Sequence, residues 1–242
     1  AFCIECGSRL DRGVCPQCTG SASAEHGSAR DVAPANATDK PALSLPLLSY
    51  DEELYVLFKH FVSASELRLV RVCGGAGMGK TRLMEALAAT VESHGSVVAR
   101  SGLDPWNVGV AYHCISSIIV SLLGLKSIFD ENATLSSSSP QVRAGLDVLR
   151  GAIPEQLTSP RELRLTVAAL LHFALSSVSS RTQKRLAVFI DDFDRIDGAS
   201  RNALLDLVAL HPKLPLLLIV CHEPNFSWKG PSGAFEVRLH GI

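Results

Sequence analysis

The run Gly74-Gly75-Ala76-Gly77-Met78-Gly79-Lys80-Thr81 follows G-x-x-x-x-G-K-[ST] at every fixed position. Glycines there let successive backbone N–H groups turn inward around an anion, where a Cβ would clash. The last two side chains suit a triphosphate. Lys80 supplies a point charge for the β- and γ-phosphates, and the Thr81 hydroxyl is a ligand for Mg²⁺. Residues 67–73 ahead of the run read as a strand, and residues 81–94 after it read as a helix. That setting separates a P-loop from a glycine-rich turn that matches by chance. The expected ligand is ATP with Mg²⁺.

A second acidic feature lies downstream. Leu186-Ala187-Val188-Phe189-Ile190 is an apolar strand that ends in Asp191-Asp192. A carboxylate at such a strand end can reach the metal beside the loop, directly or through water. Asp191 is the expected metal-side acid. Asp192, one residue on, points elsewhere and is placed to polarise an attacking water. The alternative is a strand that merely ends in solvated acids.

The first 18 residues carry different chemistry. Cys3-x-x-Cys6 and Cys15-x-x-Cys18 are two thiolate pairs that can close a tetrahedral Zn²⁺ site. Phe2, Ile4, Leu10 and Val14 are too few to build a core, so metal must supply the folding free energy. All four ligands are spent on closure, which leaves no open catalytic position. Redox C-x-x-C pairs or an unstructured tail are the competing readings. The other three cysteines, Cys73, Cys114 and Cys221, stand alone, which argues against a disulfide framework. Cys73 and Cys221 are expected to be small buried thiols.

Three zones position these residues: a cysteine head at 1–18, a linker rich in Ala, Ser, Gly, Pro and Thr at 19–44, and a domain at 45–242. In the domain, short Leu and β-branched runs alternate with amphipathic stretches, the pattern of a parallel α/β sheet. Helices are expected at 51–61, 112–123, 160–179 and 200–210, besides the one after the glycine loop. Gly95 should close that helix in a left-handed conformation. Ser159-Pro160-Arg161-Glu162 is a capping box with Pro at the first helical position. Strands are expected at 96–100, 185–191, 215–221 and 235–239, and a Ser-rich surface loop at 132–140.

The stretch Asp191-Asp192-Phe193-Asp194-Arg195-Ile196-Asp197-Gly198-Ala199-Ser200, followed by a Leu-rich helix, resembles the D-D-hydrophobic-x-x-x-D-x-x-S signature of STAND-type AAA+ ATPases. That resemblance covers about residues 45–239. It implies an α/β P-loop NTPase of three layers with a five-stranded parallel sheet in the order 5-1-4-3-2. It also implies ATP as ligand, Asp192 as the catalytic acid, and a switch coupled to partner domains. Two places depart from the family. Leu48-Ser49-Tyr50-Asp51-Glu52-Glu53-Leu54 stands where V-G-R-E-x-E-L usually cradles the adenine side, so Ser49-Tyr50 replaces Gly-Arg. The fourth strand ends Cys221-His222-Glu223 in place of a polar sensor. His222 is either a sensor of the γ-phosphate or a surface histidine after a strand. The head resembles the short zinc ribbons that begin many bacterial regulatory proteins, with Phe2-Cys3-x-x-Cys6-Gly7 and Cys15-Pro16-x-Cys18 as the matching residues.

A formal net charge of −1 with interspersed signs makes no electrostatic footprint for nucleic acid or an anionic membrane. No uninterrupted apolar run reaches the length of about 18 that spans a bilayer. Ala1-Phe2-Cys3 forms neither part of a signal peptide, so a cytoplasmic setting is expected. The resemblance implies a helical lid and a C-terminal sensor or repeat region after the core, and neither is found in residues 45–242. Protein partners or those further domains of the same polypeptide are the expected partners. Arg195 and Arg201 are placed to face a neighbouring subunit in a homo-oligomer. The leading function is a regulatory switch that binds ATP and hydrolyses it slowly. The alternatives are a DNA-associated ATPase resembling the origin-recognition loaders, and a scaffold that binds ATP without hydrolysis.

Overall fold

The computed structural model describes residues 50–130, 139–155, 157, 159–228 and 234–240. The cysteine head, the linker, Ser49 and residues 132–138 of the Ser-rich loop lie outside them. The elements run in the order α1 (Asp51–Val62), β1 (Arg68–Cys73), α2 (Lys80–Ser93), β2 (Val97–Ser101), α3 (His113–Leu123), α4 (Pro140–Leu149), α5 (Pro160–Thr182), β3 (Leu186–Ile190), α6 (Gly198–Leu210), β4 (Leu216–His222) and β5 (Phe235–Arg238).

The five strands form one sheet in the order β2-β3-β4-β1-β5, and every pairing is parallel. Read from the other edge, this is the expected 5-1-4-3-2 order. Because strand side chains alternate, consecutive residues feed two separate cores. Ala187, Phe189, Leu217, Ile219 and Cys221 join Leu83, Leu87 and Val91 of α2 and Leu57 of α1 on one face. Leu186, Val188, Ile190, Leu216, Leu218 and Val220 join α3, α4, α5 and α6 on the other. The result is the three-layer α/β/α fold expected from the alternating runs.

Element ends lie within three residues of those expected. The one helix that the sequence reading missed is α4. Its start is well marked: Ser139 accepts a hydrogen bond from the Val142 N–H, and Pro140 opens the first turn. Gly145 in its middle lowers helix propensity and masks the pattern. The structure gives the reason for that glycine. A Cβ there would lie 2.7 Å from the Thr166 carbonyl oxygen and 2.8 Å from Leu170 Cβ, so α4 can press onto α5 only without a side chain. Helix α5 starts with the expected capping box and runs 23 residues. Among the described residues it alone is long and apolar enough to cross a membrane. Scattered Ser and Thr hid this from a search for unbroken apolar runs. Half of its apolar window is buried, against α4, α6 and α3, which is what a core helix of an α/β fold requires.

Candidate functional site

The glycine loop leaves the C-terminal end of β1 and enters α2, as a triphosphate cradle requires. Two of its residues are left-handed, Gly77 at φ +77° and Gly79 at φ +79°. An L-residue at either position would be strained. Gly79 is also the residue that begins α2, and no side chain caps the helix there. No acidic residue occupies the first turn. The first amides of α2 and the positive end of its dipole are therefore available to an anion. Within the loop, the Gly75 N–H reaches Met78 Sδ at 3.1 Å. A thioether is a weak acceptor, so a phosphate oxygen would displace it readily. Lys80 is buried, and its Nζ donates to the carbonyl oxygens of Gly74 at 2.8 Å and Gly75 at 3.0 Å. That holds the ammonium at the mouth of the loop. Ala76 is exposed at the loop's tip.

The two acids at the end of β3 behave differently because the backbone turns between them. Asp191 continues the strand: its N–H donates to the Ser101 carbonyl of β2 at 2.9 Å. Its Oδ2 accepts the Thr81 hydroxyl at 2.5 Å, and its Oδ1 accepts the Asp192 N–H at 2.9 Å. At Asp192 the chain flips into the left-handed region, φ +45°, which Asp tolerates better than most residues. Its carboxyl stands above the ordinary carboxylate range, first because it is partly buried and then because Asp191 is adjacent; Arg195 and Lys80 oppose the shift. Thr81 and Asp191 offer hard oxygen donors at one point beside the phosphate cradle, the donor type that Mg²⁺ takes. Among the described residues no group of three or more His, Cys, Asp or Glu could hold a metal. The expected Zn²⁺ ligands Cys3, Cys6, Cys15 and Cys18 lie outside the described residues.

Other expectations land differently. Cys73, Cys114 and Cys221 are buried free thiols. Cys221, not His222, shares the core face with α2, and burial with the nearby Asp191 charge raises its thiol well above the ordinary range. His222 is buried rather than a surface histidine. Its ring lies 5.7 Å from that of Phe226 on the face of β4 opposite Cys221, while its backbone carbonyl accepts the Gly74 N–H at 3.2 Å. Of the two arginines expected to face a neighbour, Arg195 is exposed. Arg201 is committed inward: it donates to the Asp194 carbonyl at 2.9 Å and lies 5.6 Å over the Phe226 ring.

Asp197 and Ser200, the last two members of the acidic signature, hold the scaffold together. Asp197 caps α6, with its Oδ1 accepting the Ser200 N–H at 2.7 Å. The same oxygen accepts the Tyr112 N–H at 2.8 Å, and Ser200 Oγ lies 3.4 Å from the Ile115 N–H. The start of α3 is thereby tied to the start of α6. Sequence reasoning also missed the contact made by Tyr50, which stands where the resembled family has arginine. Its hydroxyl donates to the Met78 carbonyl at 2.7 Å.

A family model described as AAA ATPase domain matches residues 47–220. No curated protein matches the sequence. Among solved structures, the ORC2 protein of Aeropyrum pernix in ADPNP–ADP complexes is similar at 14% identity and a TM-score of 0.42, over 78% of this chain and 43% of that one. Cdc6p from Pyrobaculum aerophilum is similar at 16% identity and a TM-score of 0.46, over 83% and 48%. Drosophila ORC bound to DNA gives 10% identity and a TM-score of 0.41, over 90% and 52%. The chain thus spans about half or less of the length of each.

Proposed function

We propose that this chain, which belongs to the AAA ATPase domain family, is an ATP-dependent regulatory switch that binds ATP on the glycine loop and hydrolyses it slowly. The observation that carries the reading is the Thr81–Asp191 hydrogen bond. It brings the hydroxyl after the P-loop lysine onto the acid at the end of β3, two strands over from β1, the pair that a Mg²⁺–nucleotide site needs. Mg²⁺ held there would neutralise phosphate charge.

The remaining work falls to the chain's own groups. The loop amides and the uncapped start of α2 hold the β- and γ-phosphates, and Lys80 adds a compact positive charge. Asp192, turned off the strand, orients a water and accepts its proton. Its raised pKa makes it a somewhat better base than an ordinary aspartate. Charge stabilisation from a group beyond the P-loop can be worth about 10³–10⁵ in rate. Among the described residues Arg195 is exposed and acts on the Asp192 carboxyl rather than on the loop, so the reading assigns that group to a second subunit or a further domain. This makes slow basal turnover and a switch the expected behaviour. The run Asp191–Ser200, with its resemblance to STAND-type ATPases, supports a regulatory role, and the four N-terminal cysteines are proposed to form a zinc ribbon that docks a protein partner.

The direct test is Lys80→Ala. The Lys80 ammonium donates to two loop carbonyls and bridges no other element, so the fold should survive while the stabilisation by Mg²⁺–ATP in a thermal melt is lost. An unchanged ATP-induced shift in the variant would refute the site.

A further inference from the structure

Tyr50 has no role in the site as described so far, yet it touches the phosphate loop at its most constrained point. It is the residue that begins α1, and its carbonyl accepts the Leu54 N–H at 2.9 Å. Helix α1 is anchored on α2 through Leu57 and Phe61, which share a core with Leu83, Leu87 and Val91, and Tyr50 packs against the same cluster. The ring is therefore fixed relative to α2. Its Cε2 lies 3.4 Å from where a Gly79 Cβ would be, and its Oη donates to the Met78 carbonyl at 2.7 Å.

That single hydrogen bond sets the direction of the next amide. Among the described residues no peptide bond is cis, so the Met78 C=O and the Gly79 N–H point to opposite sides of one rigid plane. Pinning the carbonyl outward on Tyr50 aims the Gly79 N–H inward, into the loop where phosphate oxygens bind. Gly79 is at φ +79°, and glycine crosses between left- and right-handed conformations at little cost. Without an external restraint, this peptide plane is free to flip and turn a carbonyl oxygen toward the phosphates. We propose that Tyr50 is a positioning residue for the triphosphate: it locks the Met78–Gly79 peptide so that the Gly79 N–H faces the anion. This rests on the reading of the loop as an ATP site and adds to it a residue outside the motif. The role concerns phosphate, not base, although Tyr50 stands where the resembled family cradles adenine.

The test is Tyr50→Phe in the full chain, which keeps the ring and its packing and removes only the hydroxyl. Affinities for Mg²⁺–ATP and for Mg²⁺–tripolyphosphate, which has no base, are measured by calorimetry, and the unliganded protein is melted in parallel. Losing one restraining hydrogen bond should weaken both ligands by a similar factor, about five-fold, while the melting temperature of the unliganded protein stays close to that of the parent. Equal affinity in variant and parent overturns the proposal. So does a loss confined to ATP, which would make Tyr50 a base contact, or a loss that merely tracks a lower melting temperature, which would make it a packing residue. If the parent binds neither ligand, the ATP-site reading itself has failed and takes this proposal with it.

Discussion

Replacing Asp197 with alanine tests whether the acidic signature after β3 is chemistry or construction. Two hydrogen bonds end on the same carboxylate oxygen, from the Ser200 N–H at 2.7 Å and the Tyr112 N–H at 2.8 Å. The first is a helix cap, worth about 0.5–2 kcal/mol on replacement by alanine. The second joins α3 to α6 through an ionised acceptor, worth about 1.5–3 kcal/mol. Together they put the loss near 3 kcal/mol, a large share of the roughly 5–15 kcal/mol by which a domain is stable. For a domain of this size that corresponds to a fall in melting temperature of about 6–12 °C. Asp197→Asn should cost clearly less than Asp197→Ala. The amide oxygen can accept both bonds, each at the neutral worth of about 0.5–1.5 kcal/mol, and loss of the charge relieves Oδ2, a buried oxygen with no hydrogen-bond partner among the described residues. Calorimetric melting of the three proteins decides it, with ATP affinity measured well below the melts and expected to be unaltered. If Asp197→Ala melts with the parent, or if Asn costs as much as Ala, the clamp between α3 and α6 is not what this acid provides.

Asp191→Asn should weaken the Mg²⁺ dependence of ATP binding, whereas Asp192→Asn should spare binding and remove hydrolysis; equal loss of binding in both would refute the division between the two acids. His172 and His211 stack with ring centroids 3.7 Å apart, and burial lowers both pKa values, with His211 adding to the shift at His172. The unfolded chain therefore takes up protons first, so stability is intact above about pH 6.5 and falls as the pH drops below it. His60 is shifted the same way, so the double variant His172→Gln, His211→Gln should flatten the melting temperature between pH 7.5 and 5.5 without abolishing its slope; an unchanged slope refutes the idea. Purified protein should carry about one zinc per chain, released by Cys→Ser changes at Cys3, Cys6, Cys15 or Cys18, and metal-free protein with oxidised pairs would favour a redox role.

What could be read from the sequence was local or periodic. The strand before the glycines and the helix after them are contiguous with the motif, so the cradle was visible in one stretch of chain. The apolar runs of β3 and β4 are buried on both faces, and an unbroken run announces that directly. The failures share a different cause. Gly145 looks like a helix breaker until α5 is beside it, and Tyr50 looks like a lost adenine residue until the loop folds back under its ring. His222 and Cys221 differ only in which face of β4 they occupy. Fixing that parity takes the register against β1, where Cys73 pairs with His222, rather than any property of the two side chains. Arg201 read as facing a neighbouring subunit because the ring beneath it, Phe226, comes from beyond the next strand.

The separation of Asp191 from Asp192 has a structural origin that lies away from the phosphates. After the left-handed turn at Asp192, the Phe193 N–H returns to the Cys221 carbonyl at 2.7 Å, tying the chain back to β4. Phe193 is fully buried, with the Trp228 ring 4.7 Å from it and the Phe226 ring 6.1 Å away. Phe226 in turn lies beneath Arg201 of α6. The direction in which Asp192 points is therefore set by an aromatic cluster and by the start of α6, while Asp191 and the glycine loop are held by the sheet and by α2. The two acids stay joined by the Asp192 N–H, which donates to Asp191 Oδ1 at 2.9 Å, so a displacement of α6 or of residues 226–228 would act first on Asp192 and reach Asp191 through that bond. On the proposed division between the two acids, nucleotide binding and turnover would rest on different supports, which is an arrangement a nucleotide switch can use.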